Sequence, residues 1–197
     1  QIWRDLLEIE DIVKPIDVAK YMKSLYHAVN AVAELSGPPL HERRLLLEFP
    51  SRAEAAQRPG MTAGLYGLLG SSNLDAAMIN AWLPEWKSAF EVATESSRVD
   101  PRIHPTRLKH YEKAAQSMLS GDNPRAALWS LLQTWTLAAE VLPDNAIDSW
   151  RSACGQLGLN AIGIEEHVNG LDHFLDDVEG LLDELSAQHG LETSTSL

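Results

Sequence analysis

The chain has 197 residues, 45% of them hydrophobic, with six Trp, one Cys and a formal net charge of −12. That apolar content can bury a substantial core, while so acidic a balance disfavours gripping nucleic acid, whose affinity comes largely from Lys and Arg. The single Cys154 excludes an internal disulfide and a thiolate metal cluster, and no run approaches the ~20 apolar residues of a membrane span.

Strand signals are nearly absent, and helical spacing dominates the chain. A first helix is predicted over Ile2 to Val13. Pro15 opens a second, running to about Leu35, with Val18, Met22, Leu25, Val29 and Val32 on its inner face and Gly37-Pro38-Pro39 ending it. A third spans Leu40 to Phe49. Pro50-Ser51 then reads as a stop and an N-cap for Arg52 to Gln57. Gly60, Gly64, Gly67 and Gly70 punctuate the next apolar stretch, Met61 to Ser72. Interior glycine weakens a helix by roughly 1 kcal/mol per site. The run therefore reads either as a helix in close packing or as a loop whose backbone approaches a ligand. Asn73 or Asp75 starts a helix to about Thr94, with Pro84 kinking or splitting it between Trp82 and Trp86.

Ser96 to Thr106 holds Pro101 and Pro105 and no apolar periodicity, so it reads as a linker between an N-terminal helical subdomain, 1–95, and a C-terminal one, 107–190. Thr106 is placed to cap Arg107 to Leu119. After the turn at Gly121 to Pro124, the segment Arg125 to Leu142 is apolar almost all round, the mark of a central helix. Ala146 to Leu157 forms a shorter helix. The last runs within Asn160 to His189. Its apolar stripe is Val168, Leu171, Leu175, Val178, Leu182 and Leu185, widened by Phe174 and Leu181. Asp172, Asp176, Asp177, Glu179, Asp183 and Glu184 form an acidic face between them. The fold class is all-α, with short turns making the C-terminal half a four-helix up-and-down bundle. Residues 191–197 read as a disordered polar tail.

Chemistry is sparse. Cys154 sits late in its helix, where the dipole opposes a thiolate, and reads as a small buried residue. His167 and His173 lie six apart and point to different faces, both among acidic neighbours, so no metal site is expected. The acidic face is either the wet side of its helix or a docking surface for a basic partner. Arg98, Arg102, Arg107, Lys109 and Lys113, with His104 and His110, form one basic group. Arg43, Arg44, Arg52 and Arg58 form another. Of these, Arg102, Arg107, Lys109 and His110 are the candidate ligand-binding residues, with intramolecular pairing the competing use of their charge. No phosphate-cradling loop and no nucleophile elbow is present.

The run Tyr111-Glu112-Lys113-Ala114-Ala115, then Leu119, Gly121-Asp122 and Arg125-Ala126-Ala127-Leu128-Trp129, resembles the helix pair of HEPN-type domains and of the helical substrate-binding domains that accompany small nucleotidyltransferases. The resemblance covers residues 107–140. HEPN nucleases carry an Arg and, four to six residues on, a His along one helix. Arg98 and His104 have that spacing here, but Pro101 and Pro105 interrupt the segment. The resemblance thus implies a non-catalytic member that binds a partner or a nucleotide-related ligand.

The expected function is a non-catalytic, cytoplasmic helical binding or interaction module. It needs no cofactor and no membrane, and it docks on a protein partner or forms a homodimer, for which the Met61–Gly70 segment with Trp82 and Trp86 would supply the apolar patch. The alternative is an enzyme acting on nucleotides or RNA through Arg98, Arg102 and His104.

Overall fold

The computed structural model describes residues 13–190. The first predicted helix and the C-terminal tail lie outside them, save Val13 itself. The described residues form eight α-helices and no strand: α1 Pro15–Ala33, α2 Leu45–Ala55, α3 Gly60–Leu68, α4 Ala76–Ala93, α5 Pro105–Leu119, α6 Ala127–Ala139, α7 Asp148–Gln156 and α8 Ile164–His189. The protein is an all-α helical bundle.

α1 begins as expected at Pro15, with the Asp17 carboxylate accepting from the Lys14 backbone N–H at 2.9 Å. Its five predicted inner residues are all buried, and Tyr21 joins them. The buried Asn30 ties the next connection down. Its Oδ1 accepts from the Leu40 N–H at 2.6 Å, while its Nδ2 donates to the Tyr26 carbonyl.

Neither internal proline ends its helix. α2 starts later than predicted, after a 3-10 turn at Glu42–Arg44, and then runs through Pro50 to Ala55. Proline removes the bond to the carbonyl four residues back. That carbonyl, Leu46, lies 3.5 Å from Asn123 Nδ2, a donor supplied from 77 residues away. The helix is terminated instead, just past its C-cap Ala56, by Gln57, which takes a left-handed φ of 58° while the Arg58 N–H donates to the Ala53 carbonyl at 2.8 Å. α4 likewise continues through Pro84 as one helix, capped by Asp75, whose carboxylate accepts from the Met78 N–H at 2.8 Å.

α6 is the central rod. All its residues except Ser130 and Gln133 are buried. Its two threonines act as internal acceptors: Trp86 Nε1 donates to Thr134 Oγ1 at 2.9 Å, and Trp150 Nε1 to Thr136 Oγ1 at 3.1 Å. α1, α4 and α5 pack around it, and α4 also meets α7. α8 lies against α1 and α3. One buried cluster therefore runs from Val13 to Leu181 across both halves of the chain. The core does not divide at 96–106: α5 to α8 share it with α1 and α4, because the all-round apolar α6 needs cover on more sides than three neighbours provide.

The glycine-rich stretch is a helix followed by a turn; Gly70 alone makes a close backbone approach, to Leu157, while Gly60 and Gly67 have open space where a Cβ would lie. A Cβ on Gly64 would sit 3.5 Å from the Phe174 ring, and one on Gly170 3.0 Å from Leu68. α8 turns a slightly different face inward than expected. Phe174 and Leu181 are fully buried, whereas Leu175, Leu182 and Leu185 are only half-buried. α3 seats on the Phe174 side and rotates the stripe that way.

Candidate functional site

Of the four predicted ligand-binding residues, only Arg102 lines a cleft. Arg107, Lys109 and His110 stand exposed along α5. Arg98 lies exposed in the turns before α5. His104 is the N-cap of α5, replacing the expected Thr106: its Nδ1 accepts from the Thr106 N–H at 3.3 Å and lies 2.8 Å from Thr106 Oγ1. Pro105 takes the first helical position, which moves the cap two residues upstream of Thr106, to the extended His104. Arg98 and His104 consequently do not share a helix.

Arg102 is held rather than free. Its Nε and Nη2 donate to the two oxygens of Asp100 at 2.9 and 3.1 Å, its backbone N–H adds a bond to Asp100 at 2.8 Å, and its Nη1 donates to Glu42 Oε1 at 2.9 Å. The guanidinium is spent on two carboxylates in a fork that Lys could not reproduce. It holds the Asp100 carboxyl below the ordinary carboxylate range, outweighing the desolvation that pushes the other way. Asp100 thus contributes stability above its unfolded pKa, and that contribution is lost as pH falls through the lowered folded value. Asp100→Asn is expected to flatten the acid limb of a stability-versus-pH curve below about pH 4, measured by urea melts. An unchanged limb would refute the pairing.

This clasp forms the rim of a cleft of about 520 Å³ between α1, α6 and the 96–104 connection. Met22 and Leu137 give it a buried apolar floor, extended by Ile16 and Ala19. Lys20, Lys23 and His27 line it from α1. Gln133, Thr136 and Glu140 line it from α6, alongside Glu42, Asp100 and Arg102. Glu140 has no ion-pair partner among the described residues. Partial desolvation raises its pKa, Asp100 adds to the rise by repulsion, and Arg102 opposes it. Except for Arg102, sequence reasoning missed these residues. They come from four stretches far apart in the chain, and the one local signal was the Asp100-x-Arg102 spacing across a proline-marked bend.

The other candidates resolve into structure. His167 is half-buried rather than part of the exposed acidic face: its Nδ1 lies 2.9 Å from the Leu68 carbonyl, which also accepts from the buried Tyr21 hydroxyl at 2.8 Å, and the two rings meet edge-on at 5.9 Å. The approach of α3 to α8 pulled it inward. His173 is exposed. A wider groove of about 580 Å³ between α3 and α8 is lined by Gly64, Gly67, Gly170, Phe174 and Asp177, with both histidines at its edge. On the acidic face, Glu184 pairs with Arg58, the one ion pair that α8 makes among the described residues. Arg44, the residue before α2, pairs with Glu48 in the first turn of that helix.

Trp82 and Trp86 are buried, with Trp82 Nε1 donating to Gln156 Oε1 at 3.3 Å, so they supply no apolar docking patch. Their rings serve the core between α4, α6 and α7. Cys154 is buried, and desolvation pushes its thiol up to about 12. Ellman's reagent is therefore expected to label the native protein at a negligible rate at pH 8 and to release one equivalent of chromophore in denaturant. Rapid native labelling would show an open thiol.

Among the described residues no helix is long and apolar enough to cross a membrane, and no group of three metal-ligating side chains assembles. No family model, curated protein or solved structure matches the chain.

Proposed function

We propose that the protein is a non-catalytic binding module and that the α1–α6 cleft is its recognition site for a small organic ligand. One observation carries this reading. Charged and polar side chains from four separated stretches converge on a single concavity with an apolar floor, the composition typical of ligand sites. Its volume lies within the range of about 300–1,000 Å³ common to such sites. Among the described residues neither hydroxyl of the lining is hydrogen-bonded to a base: Tyr26 donates to the Leu40 carbonyl, and Thr136 Oγ1 accepts from Trp150.

The test is ligand-observed NMR with a library of small organic fragments, run on the native protein and on Ala19→Trp. Ala19 is half-buried at the cleft wall, so an indole there fills the space. Fragments should bind the native protein and lose their signal with Ala19→Trp, whose helical circular dichroism should be unchanged. Fragments that bind both proteins equally, or a library that yields no binder, would overturn the assignment.

A further inference from the structure

The charges of the cleft are arranged on facing walls. α1 presents Lys20 and Lys23, while the opposite side carries Glu42, Asp100 and Glu140 around Arg102. Three cations thus match three carboxylates, yet among the described residues no ion pair joins one wall to the other. The pairs that do form, Arg102 with Asp100 and with Glu42, lie on one side. They leave Glu140 there and the two lysines across the gap without ionic partners.

We propose that the cleft takes a small zwitterion, an α-amino acid or dipeptide with an apolar side chain, its ammonium at Glu140 and its carboxylate at Lys20 and Lys23. The inference rests on the binding-module reading above and specifies its ligand. A simple anion would reach the lysines but face the carboxylates beyond them. A simple cation would satisfy Glu140 but face Lys20 and Lys23. A ligand bearing both charges completes both walls at no change in net charge, and each contact is a charge-assisted hydrogen bond made at the cleft's solvent-facing rim, where Lys23 and Glu140 are exposed. Arg102 is a weaker anchor for the ligand carboxylate than the two lysines, because three of its five N–H donors already bond Asp100 and Glu42, whose charges offset its own. Met22 and Leu137 are buried beneath the charged rim, which selects an apolar side chain for the remaining volume.

The test is isothermal titration calorimetry on the full chain at low salt with L-leucine and leucyl-leucine. N-acetyl-leucine, which lacks the ammonium, and leucinamide, which lacks the carboxylate, serve as paired controls. At least one zwitterion should bind, with each control weaker by about tenfold or more, the usual worth of a hydrogen bond to a charged group. Glu140→Gln should weaken the zwitterion similarly and leave N-acetyl-leucine unchanged. The Lys20→Met/Lys23→Met double variant should weaken the zwitterion and leave leucinamide unchanged. Both sets alter rim side chains and should keep native circular dichroism. Controls that bind as well as the zwitterions, or zwitterions that do not bind, would overturn the inference. If fragments still bind in a manner blocked by Ala19→Trp, only the ligand class has failed. If Ala19→Trp blocks nothing, the cleft itself is not the site.

Discussion

Gly70→Ala is expected to destabilise the protein by about 3 kcal/mol or more, whereas Gly67→Ala, the same chemical change three residues earlier, is expected to stabilise it by about 0.5–1 kcal/mol. Gly70 has φ +62°, and a Cβ there would lie 1.9 Å from the Leu157 carbonyl oxygen and 2.6 Å from its carbon. Both atoms are backbone, so relief requires moving the start of the α7–α8 connection. The left-handed conformation alone costs a non-glycine residue about 1–2 kcal/mol, and the displaced packing adds about 1–3 kcal/mol. The connection has little slack. Gly158 also has a left-handed φ of 72°, and a Cβ on Gly163 would sit 2.2 Å from the Gly158 oxygen. Gly67 meets nothing within 4 Å, so alanine there only reduces the freedom of the unfolded chain. For a chain of this size the Gly70 variant should melt about 6–12 °C lower. Equal melting temperatures for the two variants would show that α3 does not abut the α7–α8 connection as described.

Trp86→Ala should cost about 3–5 kcal/mol, the range for emptying a fully buried aromatic site. Trp86 is 1% exposed, packs its ring on Phe90 at 5.8 Å and donates to Thr134 on the central helix. The bond and the packing separate in a double-mutant cycle. Thr134→Val alone leaves the indole N–H buried without an acceptor and should cost about 1–3 kcal/mol. In a Trp86→Phe background the same substitution should cost markedly less, since no donor remains to be stranded. Urea melts that show the two changes to be additive would mean that the hydrogen bond contributes nothing to stability.

These two sites bear on the proposed cleft through α6. Trp86 and Trp150 hold that helix through Thr134 and Thr136, which lie two residues apart and so on different faces, and Thr136 lines the cleft with Gln133, Leu137 and Glu140. Loosening either tryptophan contact should therefore weaken any cleft ligand along with stability. This makes Glu140→Gln, which touches neither tryptophan, the cleaner probe of binding.

The sequence by itself determined the local elements, because their causes are local. Period-3.6 apolar spacing put α1 at Pro15 and α6 at the centre, and Asp75 and Pro124 marked the beginnings of α4 and of the turn into α6. The all-α class followed from the same periodicity. Where a distant group supplied the deciding contact, local reading had no access to it. Pro50 reads locally as a helix stop, and the donor beside the carbonyl it strands, Asn123, lies 77 residues away from Leu46 in the chain. His167 is a surface residue by neighbourhood and a half-buried one by its approach to Leu68 and Tyr21. Arg102 could be noticed as a charge, but whether it was free for a ligand depended on Glu42, 60 residues away. The cleft was invisible for the same reason. Its walls become neighbours only when α1 and α6 pack, and packing is driven by apolar area, which says which faces must be covered but not which polar side chains are left facing one another at the edge.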